Sequence, residues 1–133
     1  MAEAILRRWG AGEFRAFSGG VKPAPVIDPQ ARALLQMQRV WQADFAPKSV
    51  TQFLAPESPR LDFVISLGEQ PPAGLPAKWP GDAKLIHWHI TDPLNEPNPQ
   101  HRELAFRRAF LELENRIKLL VLVHHRDANK QAA

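Results

Sequence analysis

The chain has 133 residues, of which 44% are hydrophobic and none is cysteine. This length suits a single domain, 1–133, and the absence of thiols excludes disulfides, thiolate metal ligands and thiol chemistry within it. Seventeen Lys and Arg against fourteen Asp and Glu give a formal charge of +3, and the charged residues are spread along the chain. We therefore expect a cytoplasmic protein that binds neither nucleic acid nor a membrane.

Amphipathic periodicity predicts a first helix over residues 1–9. Its apolar side chains recur at the i, i+3, i+4, i+7 spacing of one helix face, and Gly10 and Gly12 end the pattern. Arg7 and Arg8 interrupt this apolar segment, so no signal peptide is expected. Alternation of apolar and polar residues then predicts a strand over Phe14–Ser18.

A capping residue marks the start of the second predicted helix. Asp28 stands where a helix cap is expected, and Pro29 follows at the first helical position. The apolar spacing extends this helix to Trp41. A short helical turn is predicted farther along the chain, over residues 49–54.

Two buried strands and a long final helix are predicted in the second half of the chain. Leu61–Leu67 is a mainly apolar strand of the kind that is buried on both faces, and residues 84–90 form the next strand after a loop rich in proline and glycine. The final helix begins at Asn98-Pro99, while residues 119–123 fit either its end or a strand. His124 and His125 are predicted to lie at the solvent-exposed end of this helix. The buried face of this helix consists of residues at spacings of four and three: Phe106, Phe110, Leu113, Ile117 and Leu120.

The order of these elements is helix, strand, helix, strand, strand, helix. Strands that are separated by helices favour parallel pairing, so the predicted class is an α/β layer fold. Such units commonly begin with a strand that delivers a ligand loop to a helix N-terminus, whereas the pattern here begins with a helix.

Short motifs in this order carry a family resemblance along essentially the whole chain. They are residues 2–6, 10–12, 14–18, Lys48-Ser49, Phe53, Ala55-Pro56, 61–64, 79–81, His87-Trp88, Asp92-Pro93, 106–108 and 113–117. Together they resemble the arsenate reductase branch of the low-molecular-weight protein tyrosine phosphatase family. The resemblance implies a phosphatase I-like fold, in which a three-layer arrangement places a parallel sheet between helices.

The resemblance also implies chemistry that this chain lacks. In the family, a first, central strand leads into a phosphate-binding loop whose cysteine attacks phosphorus or arsenic beside an arginine. That strand and loop have no counterpart ahead of the helix that opens at Met1. Gly68 and Leu75 stand where related reductases carry redox cysteines. We therefore expect a degenerate domain that misses the central strand and the phosphate loop and is catalytically inactive.

Asp92 is the candidate catalytic residue. The resemblance implies that it occupies the position of the general acid, although Asp-Pro is also a common turn at the end of a strand. His87 and His89 share one face of a strand and form a weak alternative metal pair, for which no third ligand is evident. No metal and no cofactor are otherwise expected.

Three functional readings follow. The first is a non-catalytic binding or regulatory module, in which phosphate binding is lost or weak. The second is a cysteine-dependent phosphatase whose true start lies upstream of Met1. The third is unrelated enzyme chemistry at His87, His89 and Asp92.

The expected partner is a second copy of the chain. Loss of the central strand would leave two facing edges, Phe14–Ser18 and Leu61–Leu67, with unpaired backbone groups. The monomer could close this gap by pairing the two edges directly. We otherwise expect a homodimer that covers them, by strand pairing, by an exchanged element or by packing of the C-terminal helix.

Overall fold

A computed structural model describes residues 1–132 and contains three helices and two strands. In chain order these are α1 (Ala2–Trp9), α2 (Pro29–Met37), β1 (Phe63–Gly68), β2 (Lys84–His89) and α3 (Pro99–Ala132). Short 3-10 turns occupy Val50–Phe53 and Pro93–Asn95. The first of these confirms the helical turn that was predicted over residues 49–54.

The two strands form a small parallel sheet. Phe63 lies opposite Lys84, and Gly68 lies opposite His89. The connection over residues 69–83 contains four prolines, which prevent a regular crossover helix. The α/β class with a parallel sheet is confirmed, whereas the three-layer arrangement and the missing central strand stay predictions.

The helices bury one shared apolar cluster against β2. Ile5 of α1 is 0% exposed, and Leu34 and Leu35 of α2 are also buried. Trp88 packs against this cluster at its edge. The predicted buried face of α3 is confirmed at Phe106, Phe110, Leu113 and Ile117, while Leu120 is half-buried.

Helix α3 is longer than expected. Residues 119–123 are helical, which settles the alternative left open by the sequence, and the helix continues beyond His125 to Ala132. The reason is that no glycine or proline occurs between Gln100 and Ala132. No helix among residues 1–132 combines the length and the apolar character that are needed to cross a bilayer.

Two sequence predictions were wrong. Phe14–Ser18 is not a strand, since the nearest pairing is a single parallel bridge between Gly20 and Ser49. Helix α2 ends at Met37 and does not reach Trp41. Arg39 has φ 60°, a left-handed conformation that turns the chain back toward the core and stops the helix.

Candidate functional site

A cleft of about 570 Å³ lies between β1 and residues 13–21, which we call the edge segment. Every residue of the edge segment lines the cleft, and so does every residue from Pro59 to Leu67. Because successive side chains of an extended chain point to opposite faces, a surface lined by every residue of a run is its backbone edge. Two backbone edges therefore face each other across the cleft.

These two edges run in the same direction. His124 of α3 stacks on Phe14, with ring centroids 4.8 Å apart, and lines a small cavity together with residues 60–63. At the opposite end, Gly74 lies so close to Val21 that an added Cβ would be 3.2 Å from the valine Cγ1. The beginnings of both edges therefore meet α3, and their ends meet the loop that follows β1.

The remaining walls of the cleft come from two helices, the first 3-10 turn, strand β2 and one loop, and most of their side chains are apolar. They consist of Ala2, Glu3 and Leu6 of α1, Ile117, Leu120 and His124 of α3, Val50 and Phe53 of the 3-10 turn, Trp88 of β2, and Pro72, Leu75 and Trp79 of the loop. The cleft is thus apolar on several sides, and the backbone edges of β1 and of the edge segment form two of its walls.

Glu3 is the buried charge of this site, and its side chain is only 6% exposed. The Ser18 hydroxyl donates to Glu3 Oε1 at 3.2 Å, while Arg7 Nη2 lies 3.4 Å and Lys48 Nζ 3.7 Å from its oxygens. Lys48 also accepts, through its carbonyl, the Gly20 N–H at 2.8 Å. Glu3 therefore ties α1 to the edge segment and to the chain beside it.

The α-amino group of Met1 adds a second ionisable group at the start of α1. Burial lowers its pKa below the ordinary value of 8.0, and the nearby Glu3 carboxylate opposes this by raising it. The Glu3 carboxylate also lies in the first turn of α1, where a negative charge offsets the positive end of the helix.

Ser66 and His87 form a contact that sequence reasoning missed. They lie opposite each other in the parallel register, and Ser66 Oγ is 2.7 Å from His87 Nδ1. His87 Nε2 is buried without a hydrogen-bond partner among the described residues. A serine–histidine pair without an acidic partner lacks the third member that orients a catalytic histidine. Only the strand register, once known, could have revealed this pair.

Asp92 lies in a turn at the end of β2. Its Oδ1 accepts the Leu94 N–H at 2.9 Å and caps the 3-10 turn Pro93–Asn95. The side chain is exposed and does not line the cleft. The structure therefore shows that Asp92 caps this turn, while its role as a general acid stays a prediction.

The two strand histidines occupy different environments. His87 is half-buried beside Ser66, whereas His89 at the end of β2 is exposed. Within residues 1–132, no group of three or more His, Cys, Asp or Glu side chains is placed to hold a metal ion. The alternative metal pair therefore has no third protein ligand in the described part of the chain.

Gly68 and Leu75 are the two positions at which the family resemblance led us to look for redox cysteines. Gly68 has φ 130°, a conformation in which any side chain, cysteine included, would be strained. Leu75 lines the apolar cleft. The backbone conformation at Gly68 thus favours glycine over any other residue. Leu75 forms part of the apolar wall of the cleft.

Comparison with known proteins identifies a structural relative. The structure is similar to the crystal structure of an arsenate reductase from Archaeoglobus fulgidus DSM 4304, with a TM-score of 0.65 and 26% sequence identity. The similarity covers 90% of this chain and 86% of that chain. No protein-family model and no curated protein matches the sequence. The chain is therefore an α/β protein whose structure is similar to that of an arsenate reductase.

Proposed function

We propose that these 133 residues form a non-catalytic relative of the thiol-dependent arsenate reductases, with a binding or regulatory role. The observation that carries the proposal is the complete lack of cysteine in a chain with this fold. The strained backbone position at Gly68 supports it, because a cysteine there would cost conformational energy.

The chemistry of the family cannot proceed in this chain without a nucleophile. A covalent route requires an attacking group, and arsenate reduction also requires a donor of electrons. An acid at Asp92 assists only the departure of a leaving group, so it cannot replace either function. Weak or absent phosphate binding belongs to the same proposal, since the buried carboxylate of Glu3 lies near the α1 N-terminus.

The purified chain is expected neither to hydrolyse an aryl phosphate nor to reduce arsenate when a thiol reductant is supplied. Release of the phenol and formation of arsenite, each compared with buffer alone, measure the two activities. The Asp92→Asn variant is the matched control and should be indistinguishable from the parent. A phosphatase rate well above buffer that disappears in Asp92→Asn would contradict the proposal.

A second candidate is a phosphatase in which an additional segment ahead of Met1 supplies the cysteine and the arginine. The open cleft between two backbone edges favours it, because the cleft could receive a further strand. The coding sequence immediately upstream of Met1 discriminates between the candidates. A cysteine–arginine loop encoded there would favour the phosphatase.

We also propose that the chain forms a homodimer through an exposed leucine stripe on α3, defined by Leu104, Leu111 and Leu122. These side chains are 50%, 57% and 64% exposed on the helix face that is turned away from the core. An antiparallel crossing of two copies at Asn115 would bury this stripe against the stripe of the second copy and remove exposed apolar surface from water.

The Leu111→Glu substitution is expected to convert this dimer into a monomer at low micromolar concentration. The reason is that two carboxylates would be buried near the crossing point without compensating groups. Sedimentation equilibrium measures the molecular mass, and Val26→Glu, at an exposed valine far from α3 in sequence, is the matched control. A parent chain that sediments as a monomer would overturn the homodimer.

A further inference from the structure

We propose that the cleft is a docking slot for an extended apolar segment of another polypeptide, which enters as a strand between β1 and the edge segment. The inference deepens the proposed binding role and rests on it. The incoming strand would run parallel to both edges, because both run in the same direction.

The first reason is the hydrogen-bonding character of the two walls. Strand β1 pairs with β2 along one side only, so its other side presents unpaired backbone donors and acceptors to the cleft. In the edge segment, Gly20 uses its N–H and its carbonyl on the far side, toward Lys48 and Val50. Two parallel backbone edges with a gap between them match the groups of an extended chain and do not match those of a helix.

The second reason is the distribution of charge in the slot. Along its length the walls are apolar, and Glu3, the charged group there, already has partners in Ser18, Arg7 and Lys48. The other charged side chains gather where both edges begin: Glu13, Arg15, Arg60 and Asp62. An occupant that complements this pattern is apolar in the middle and polar at the end that lies beside α3.

The third reason concerns the length and the source of the occupant. Strand β1 has six residues, so a matching segment would span about 20 Å. Proline, which lacks an N–H, interrupts most irregular segments of this chain: Pro23, Pro25, Pro47, Pro56, Pro59, Pro71, Pro72, Pro76, Pro80 and Pro97. Two longer irregular stretches are free of proline, and both are held within the fold. In residues 10–22, Ser18 bonds to Glu3 and Gly20 bonds to Lys48 and Val50. Residues 40–45 are held by buried Val40 and by Trp41 and Phe45, which pack against the core. A second copy therefore offers no free segment that suits the slot.

A synthetic strand peptide tests the proposal directly. The probe is acetyl-Lys-Thr-Val-Ile-Val-Thr-Val-Lys-amide, and the readouts are the fluorescence of Trp79 and Trp88, which line the slot, and amide exchange of residues 63–67. We expect saturable binding and slower exchange along β1. The same peptide with alternate nitrogens methylated should bind at least about tenfold more weakly, because it loses the donors to one edge.

Two neighbouring residues of α3 provide matched variants. Leu120 lines the slot, whereas Leu119 is exposed and does not. Leu120→Lys is expected to weaken peptide binding at least about tenfold, because it places a charge against an apolar strand. Leu119→Lys should bind like the parent. Circular dichroism confirms that both variants keep their helix content, and the methylated peptide provides the test on the unaltered chain.

The docking slot and the non-catalytic role can fail independently, because different measurements test them. No saturable response of the parent chain up to millimolar peptide would overturn the slot. A parent dimer that dissociates in Leu120→Lys but not in Leu119→Lys would show that a second copy fills the slot, which also overturns the proposal. Hydrolysis of an aryl phosphate would overturn the non-catalytic role and would leave the peptide result unaffected.

Discussion

Replacing Ile5 with alanine is expected to lower the free energy of unfolding by about 2–5 kcal/mol. Ile5 is 0% exposed and belongs to the cluster through which α1 packs against α3. Truncation removes buried methyl and methylene groups and leaves a cavity, since the surrounding helices can collapse only in part. Because Ala2, Glu3 and Leu6 of the same helix line the slot, a weakened α1 would also loosen that wall.

Urea unfolding monitored by circular dichroism measures this effect as a lower midpoint with an unchanged slope. Ile5→Val should cost about 0.5–1.5 kcal/mol, since it removes one methyl group. Met37→Ala, at an exposed position on α2, is the matched control and should stay within about 0.5 kcal/mol of the parent. An Ile5→Ala variant as stable as Met37→Ala would show that α1 is not packed on the core.

The helices could be predicted because the signals that define them, a capping residue and the spacing of apolar side chains, lie close together in the sequence. The capping role of Asp28 is confirmed by bonds from the N–H groups of Gln30 and Ala31 to its side chain. The spacing of Phe106, Phe110 and Ile117 fixes one face of α3 whatever lies against it. The two strands were also predictable, since apolar runs bounded by proline and glycine have few alternatives.

The two wrong predictions have different physical causes. Alternation in Phe14–Ser18 is compatible with a strand, but a strand also needs a neighbour, and the nearest parallel edge lies across the cleft. Helix α2 stops because Arg39 adopts a left-handed conformation, which no pattern of apolar residues reveals. Tertiary contacts decide the first outcome, whereas the second is made by local backbone bonds from the Arg39 N–H to Gln36 and from the Val40 N–H to Leu35.

The candidate site was only partly visible in the sequence. The expectation of two facing edges came from the family resemblance, and the structure keeps the corresponding runs apart around a cleft. The burial of Glu3 and its contact with Ser18 depend on how α1 meets the edge segment, and the Ser66–His87 contact depends on strand register. None of these follows from spacing along the chain.

The Glu3→Gln substitution is expected to lower the free energy of unfolding by about 1–3 kcal/mol. Glutamine keeps the volume of the side chain and can still accept from Ser18, but it removes the charge that faces Arg7 and Lys48. Arg7 keeps its two bonds to Asp44, so the loss falls mainly on Lys48, which is half-buried and which water compensates only in part. Glu13→Gln is the matched control, because Glu13 is exposed and pairs only with the exposed His125; it should cost less than about 0.5 kcal/mol.

The titration of the α-amino group of Met1 provides an independent readout of the same substitution. Glu3 raises the pKa of this group against the effect of burial, so its loss should lower that pKa further below 8.0. Between the folded pKa and 8.0 the unfolded chain binds more protons, and stability therefore rises with pH across this interval. Glu3→Gln should widen the interval, which unfolding measured at a series of pH values detects. A variant with the parent's stability and the parent's pH dependence would show that Glu3 does not hold α1 to the edge segment.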